Sequence, residues 1–209
     1  MGKLEEQRIV FTNSNSGVYY SGQQIQGEVI LQPKETIKVK NIRLLFEGNA
    51  RVHWTESSGS GKNRKSKSYN AHENYFSSTV VIWGEQQSSG NEPSLLKQGN
   101  HRIPFSYQLP LNCPSSFEGS HGNIRYTVKC TVDRPWSFNI DKVQPFYVIN
   151  TLDLNKDQRA LNPLNMEKSK TLGCLFCPAG ALSLEANITR PGLVAGEVLG
   201  SDNVTKLVE

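Results

Sequence analysis

Two cysteines stand two residues apart in "CLFC" at 174–177. Such a pair does dithiol chemistry when it opens a helix, whose positive end lowers a thiol pKa. Here Pro178, Ala179 and Gly180 follow, and then an alternating run, so the pattern supplies no helix. A zinc site wants four ligands; Cys113 and Cys130 lie in distant segments, and no histidine is near the pair in sequence. The thiols read as buried or linker residues, with a CxxC redox protein as the rival chemistry.

"GSGK" at 59–62 resembles the end of a phosphate loop, but the full pattern needs Gly at 56 and Ser or Thr at 63, where this chain has Glu56 and Asn63. It also falls between two alternating runs, not at a strand-to-helix turn where amides could cradle phosphate. The same stretch carries Lys62, Arg64, Lys65 and Lys67. They are a candidate contact for an anionic membrane surface, and the plainer reading is a solvated charged loop. His53, His72, His101 and His121 are scattered and spell no nucleophile–base arrangement. Asp133 and Asp141 flank "RPWSFNI" without any reason to face each other. The sequons at Asn187 and Asn203 matter only in a secreted chain. No catalytic residue, cofactor site or metal site is expected, and the reading is a non-enzyme.

The elements that must position these residues follow period two. Ile25, Gly27, Val29 and Leu31 share one face, as do Ile42, Leu44 and Phe46. In "NIRYTVKCTVD", Ile124, Tyr126, Val128, Cys130 and Val132 point one way, and Arg125, Thr127, Lys129, Thr131 and Asp133 the other. Half-buried strands broken by Gly, Pro and Asn predict an all-β, immunoglobulin-like antiparallel sandwich. The 209 residues leave room for one full domain and a remnant. Residues 55–72 and 84–98, polar and rich in small side chains, read as long loops. Residues 156–172, interrupted by Pro163, read as linker.

A net charge of +4 is too small and too dispersed to argue for nucleic acid. The start, "MGKLEEQRIVF", has neither a signal peptide's apolar run nor the Ser or Thr at position 6 that myristoylation wants. The longest apolar run, "VVIW", spans nothing. A cytoplasmic location, peripheral at plasma membrane or endosomes, is the expectation.

Five segments together resemble the arrestin superfamily, and within it the α-arrestins: "YYSGQQIQGEVIL" at 19–31, "IRLLFEGNARVHW" at 42–54, "LLKQGNHRIPFSYQLP" at 95–110, "CPSSFEGSHGNIRYTVKCTVDRPW" at 113–136 and "FYVINTLDLN" at 146–155. "CPAGALSLEANITRPGLVAGE" at 177–197 is similar to the start of that family's second domain. The resemblance implies an arrestin-type N-terminal sandwich over 1–155, a linker over 156–178 and a truncated second domain over 179–209. Its structural motif falls on Pro114, Phe117, Gly119, Gly122, Arg125, Tyr126, Asp133, Pro135 and Trp136. It also implies a non-enzymatic adaptor in membrane-protein trafficking, endocytosis and endosomal sorting, whose partners are cytoplasmic tails of membrane proteins or other trafficking proteins. The family's Pro-Pro-x-Tyr motif for WW-domain ubiquitin ligases is missing from these residues, because every proline is isolated. A truncated interfering form that binds cargo or a partner without recruiting ligase is the alternative.

Within 109–126 the chain is expected to cross over the core before a central strand. Pro110 and Pro114 hold it outside the ladder. Phe117 is expected to plug the core, Gly119 and Gly122 to turn at positive φ, and His121 to be a turn residue. Residues 180–209 carry too few apolar side chains to order themselves as a domain. They are expected to be mobile or to borrow an edge from the first domain or a neighbouring molecule.

Overall fold

A computed structural model describes residues 4–59, 64–84, 93–174, 177–197 and 204–208. Their contacts divide into Met1–Thr151 and Leu152–Glu209, each treated by itself below. In chain order the first unit holds β1 (Leu4–Phe11), β2 (Val18–Tyr20), β3 (Gln24–Pro33), β4 (Ile37–Val39), β5 (Asn41–Ser58), β6 (Lys65–Gly84), β7 (Ser94–Leu96), β8 (His101–Gln108), β9 (Phe117–Glu118), β10 (Gly122–Asp133) and β11 (Ile140–Ile149).

One sheet runs β1-β3-β8 and the other β2-β11-β10-β5-β6, with β9 on β10 and a separate β4-β7 pair. The pairings are antiparallel except β2 on β11, which is parallel. The alternation in the sequence decides which faces meet. Ile42, Leu44 and Phe46 of β5 and Tyr126, Val128, Cys130 and Val132 of β10 are buried, against Ile25, Val29 and Leu31 of β3. Each such side chain stabilises by about 1.5–3 kcal/mol when fully buried. Aromatic pairs bridge the layers: Phe46 stacks on Tyr107 of β8 at 4.1 Å, and Phe11 of β1 meets Phe146 of β11 edge-on at 6.2 Å. Gly27 and Gly48 interrupt strands because the rings need the space. A Cβ on Gly27 would lie 2.5 Å from the Phe105 ring, and one on Gly48 2.5 Å from the Tyr126 ring. The result is an all-β sandwich of the arrestin type.

Residues 55–72 are mostly not a loop: β5 runs to Ser58 and β6 starts at Lys65, in register from Ser58↔Lys65 onward. The two strands extend as a ribbon whose outer end is solvated on both faces, so its sequence never alternates. Within 84–98, Ser94–Leu96 pairs with β4 and buries Leu96, while 85–92 lie outside the described residues.

The second unit holds a 3-10 turn (Leu154–Lys156), a short α1 (Gln158–Leu161), β12 (Leu164–Cys174), β13 (Cys177–Ile188) and β14 (Val204–Val208). Asp153 and Asp157 cap the two turns through their side chains. The segment read as linker is therefore structured, and β12 pairs with β13 from Leu164↔Ile188 to Cys174↔Cys177. β13 lies between β12 and β14 in its own three-stranded sheet. The residues after 180 are ordered by their pairing with β12, which lies before them in the chain.

Candidate interaction surface

The crossover at 109–126 is strapped down by polar bonds. Leu109 and Cys113 are buried. The Ser21 hydroxyl donates to the Leu111 carbonyl at 2.5 Å and accepts from the Cys113 N–H at 3.1 Å. The Tyr126 hydroxyl reaches through the layer and donates to the Pro114 carbonyl at 2.7 Å. Ser115 and Ser116 accept from the N–H groups of Asn150 and Val148, both at 2.9 Å.

Phe117, the expected plug, is 58% exposed. It sits in β9 opposite Ile124, and the buried aromatic of the neighbouring strand is Tyr126, whose ring packs 5.8 Å from Phe76. Gly119 and Gly122 are absent from the positive-φ residues, so the turn is not made that way. They are glycine for space: a Cβ on Gly122 would lie 2.7 Å from the Arg51 carbonyl, and one on Gly119 2.7 Å from the Phe117 ring. His121 occupies the bend, and its carbonyl accepts from the His53 N–H at 2.7 Å.

Arg125 grips the Glu118 carboxylate with two bonds, of 2.6 and 2.9 Å, holding that carboxyl below its ordinary range. Asp133 pairs with Arg43 at 3.0 Å. Pro135 and Trp136 form the β10–β11 turn, where Trp136 takes φ 56° and stands free of the protein. The motif residues thus serve three separate places: the strap, a surface ion pair and a turn tip.

Of the basic cluster, Lys62 lies outside the described residues. Arg64 and Lys65 are exposed at the ribbon tip, and the Lys67 ammonium sits 4.7 Å over the Tyr69 ring. Tyr69 stacks on Trp54 at 4.9 Å, and both donate to the Glu56 carboxylate. This cross-strand ladder stiffens the ribbon, and reading 55–72 as a loop concealed it.

Cys113 and Cys130 are free, buried thiols; burial raises both pKa values, that of Cys130 to about 11. Neither is a nucleophile near neutral pH. The backbones of Cys174 and Cys177 pair at the adjoining ends of β12 and β13, and a strand, not a helix, begins at Cys177. His53 and His72 line a shallow groove with Arg51 and Asn70, while His101 contacts the Lys97 carbonyl. Among the described residues, no group of three or more His, Cys, Asp or Glu is placed to hold a metal, and no helix is long and apolar enough to cross a membrane.

The sheet margin offers a different capability. β1 is the outer strand of β1-β3-β8, and the Thr12 N–H donates to the Gln26 carbonyl. Antiparallel alternation then turns the backbone groups of Val10 and Arg8 toward β3 and those of Phe11, Ile9 and Gln7 away from it. The opposite margin, β8, carries Pro104, which cannot donate. β1 is thus the margin of this sheet able to hydrogen-bond an added strand along its length. The Gln7 side chain meanwhile ties β1 to the second sheet through the Cys130 and Ile140 carbonyls, at 3.3 and 3.4 Å.

The first unit is thus a two-layer sandwich with a strapped crossover and a projecting ribbon. The chain belongs to the arrestin family: residues 8–155 match Arrestin (or S-antigen), N-terminal domain. It is similar to Arrestin domain-containing protein 17 of Caenorhabditis elegans, with 37% identity over 94% of this chain and 46% of the relative. Human Thioredoxin-interacting protein is 30% identical over 93% of this chain and 48% of its own length. Human Arrestin domain-containing protein 4 is 28% identical over 95% and 47%. The chain spans about half the length of these relatives.

Proposed function

We propose that the chain is a non-enzymatic adaptor module of membrane-protein trafficking, acting in endocytosis and endosomal sorting on the cytoplasmic side. Its partners are extended cytoplasmic tails of membrane proteins, taken up as an added strand on β1. The observation that carries this is the outward set of β1 backbone groups at Gln7, Ile9 and Phe11, on a strand free of proline. Ladder bonds supply affinity there without sequence demands. Membership of the arrestin family supports an adaptor over a catalyst, a step made by analogy of fold. Ligase recruitment is not assigned to these residues, since they contain no Pro-Pro-x-Tyr.

The test is an amide-resolved titration with peptides from membrane-protein tails. Shifts and new exchange protection are expected at Gln7, Ile9 and Phe11. Gln7→Pro removes one outward N–H together with the side-chain bonds to the Cys130 and Ile140 carbonyls and leaves the bonds to β3; it is expected to weaken binding, while Gln7→Ala, which loses only the side-chain bonds, is expected to keep it. Perturbations confined to other strands, or binding unaffected by Gln7→Pro, would overturn the reading.

A further inference from the structure

The β10–β11 turn presents two large aromatic side chains to solvent, Trp136 at 104% and Phe138 at 93% of full exposure. Isolated apolar residues at a surface are ordinary, but two fully exposed rings on one tight turn are not. Trp136 also holds φ at 56°, a left-handed conformation that a bulky residue adopts at a cost. The turn is ordered from within. The Arg134 guanidinium donates twice to the Phe138 carbonyl, at 3.1 and 2.6 Å, and the Asn139 side chain accepts from the Arg134 N–H at 3.4 Å. Its backbone is thus partly satisfied by its own side chains before anything docks, as a segment leaving bulk water requires.

The surroundings are cationic. Lys40 lies beside the turn, its N–H donating to the Asp133 carbonyl at 2.8 Å, and Lys38 is exposed on neighbouring β4. Asp133 is paired with Arg43 at 3.0 Å, while Asp141 accepts from the Thr131 hydroxyl at 2.7 Å and keeps its charge. Among the described residues, Arg134 and Lys40 have no carboxylate partner, and with exposed Lys142 they outnumber Asp141, so the tip carries net positive charge.

We propose that this turn is a lipid-contact site, inserting Trp136 and Phe138 into the headgroup region of an anionic bilayer while Arg134 and Lys40 meet the lipid phosphates. The shape favours a bilayer over a protein. A stable protein interface needs about 800 Å² per partner, more than two side chains on a convex turn provide. A bilayer deforms around a wedge, and its interface suits aromatic rings flanked by basic residues. Two rings and two charges give a weak, reversible contact, suited to a protein that also binds elsewhere. The turn shares no residue with the β1 margin or with the ribbon's basic residues, although Gln7 reaches the Ile140 carbonyl at the turn's base, at 3.4 Å; vesicle sedimentation reads the turn, and peptide titration reads the margin.

The whole chain is sedimented with phosphatidylcholine vesicles, with and without phosphatidylserine. Binding to the phosphatidylserine vesicles that weakens with salt is expected. The double variant Trp136→Ser, Phe138→Ser should lose about tenfold or more of that partitioning, with an unchanged unfolding midpoint because both rings are already in water. Trp136→Phe should keep binding, while abolishing the part of the tryptophan quenching by brominated lipid that comes from the tip. Failure of the wild type to bind either vesicle would overturn the proposal. So would wild-type binding by the double variant, loss of binding only on replacing Arg64, Lys65 and Lys67, or a Trp136-dependent dimer in ultracentrifugation.

Discussion

Residue by residue, position in the fold reverses what residue type suggests. Phe117 is apolar and exposed; Tyr126 is polar-tipped and buried, with its hydroxyl satisfied by Pro114. Phe117→Ala is therefore expected to change stability by no more than about 0.5 kcal/mol, where a core plug would cost about 3–5 kcal/mol. Tyr126→Phe, which strands the Pro114 carbonyl, should cost about 1–2 kcal/mol. Urea denaturation of both variants separates the two accounts. Cys130 gives a pH signature. Burial raises its thiol pKa from 9.0 to about 11, so above pH 9.0 the unfolded chain releases a proton that the folded chain keeps. Its contribution is complete below pH 9.0 and lost as pH rises toward about 11. Cys130→Ala should flatten the fall in stability across that window by at most about 1.4 kcal/mol per pH unit. Tyr19, raised by burial to about 12, continues the decline at higher pH in both proteins. Equal slopes for variant and wild type would remove the thiol from the account.

Among the elements, legibility tracks burial on one face. β3, β10 and the first half of β5 declare themselves because one side of each is core, which forces apolar residues to every second position. The far half of the β5–β6 ribbon has solvent on both sides, so "TESS" and "KSKSYNAH" carry no period although they are paired residue for residue. β12 was hidden for a related reason: "LNMEKSKTLGC" is mostly polar and follows a proline, and only its pairing to β13 makes it a strand. Gly48 marks where β5 changes character, with Tyr126 and Phe76 occupying the space a side chain would need. Gly48→Ala should cost about 1–3 kcal/mol through displacement of those rings. A thermal midpoint equal to wild type would show that they can move aside freely.

For the whole molecule, the buried apolar cluster runs from Ile9 to Val148 and lies within the first unit. A protein ending at Thr151 is expected to unfold cooperatively in urea with sharp near-ultraviolet dichroism. Loss of cooperativity would mean that the sandwich depends on the second unit. The sequence by itself determined the period-two strands, the all-β class, the buried faces and the family pattern, because each is local or nearly so: alternation, turn residues and motif order. Only the tertiary structure decided that Tyr126 and not Phe117 is buried in the core, that β12 joins β13 and β14 in the sheet of the second unit, which margin of the β1-β3-β8 sheet is open, and that Trp136 and Phe138 both stand in solvent on one turn. Those outcomes depend on which distant segments compete for the same space and the same backbone partners, and no local pattern records that competition.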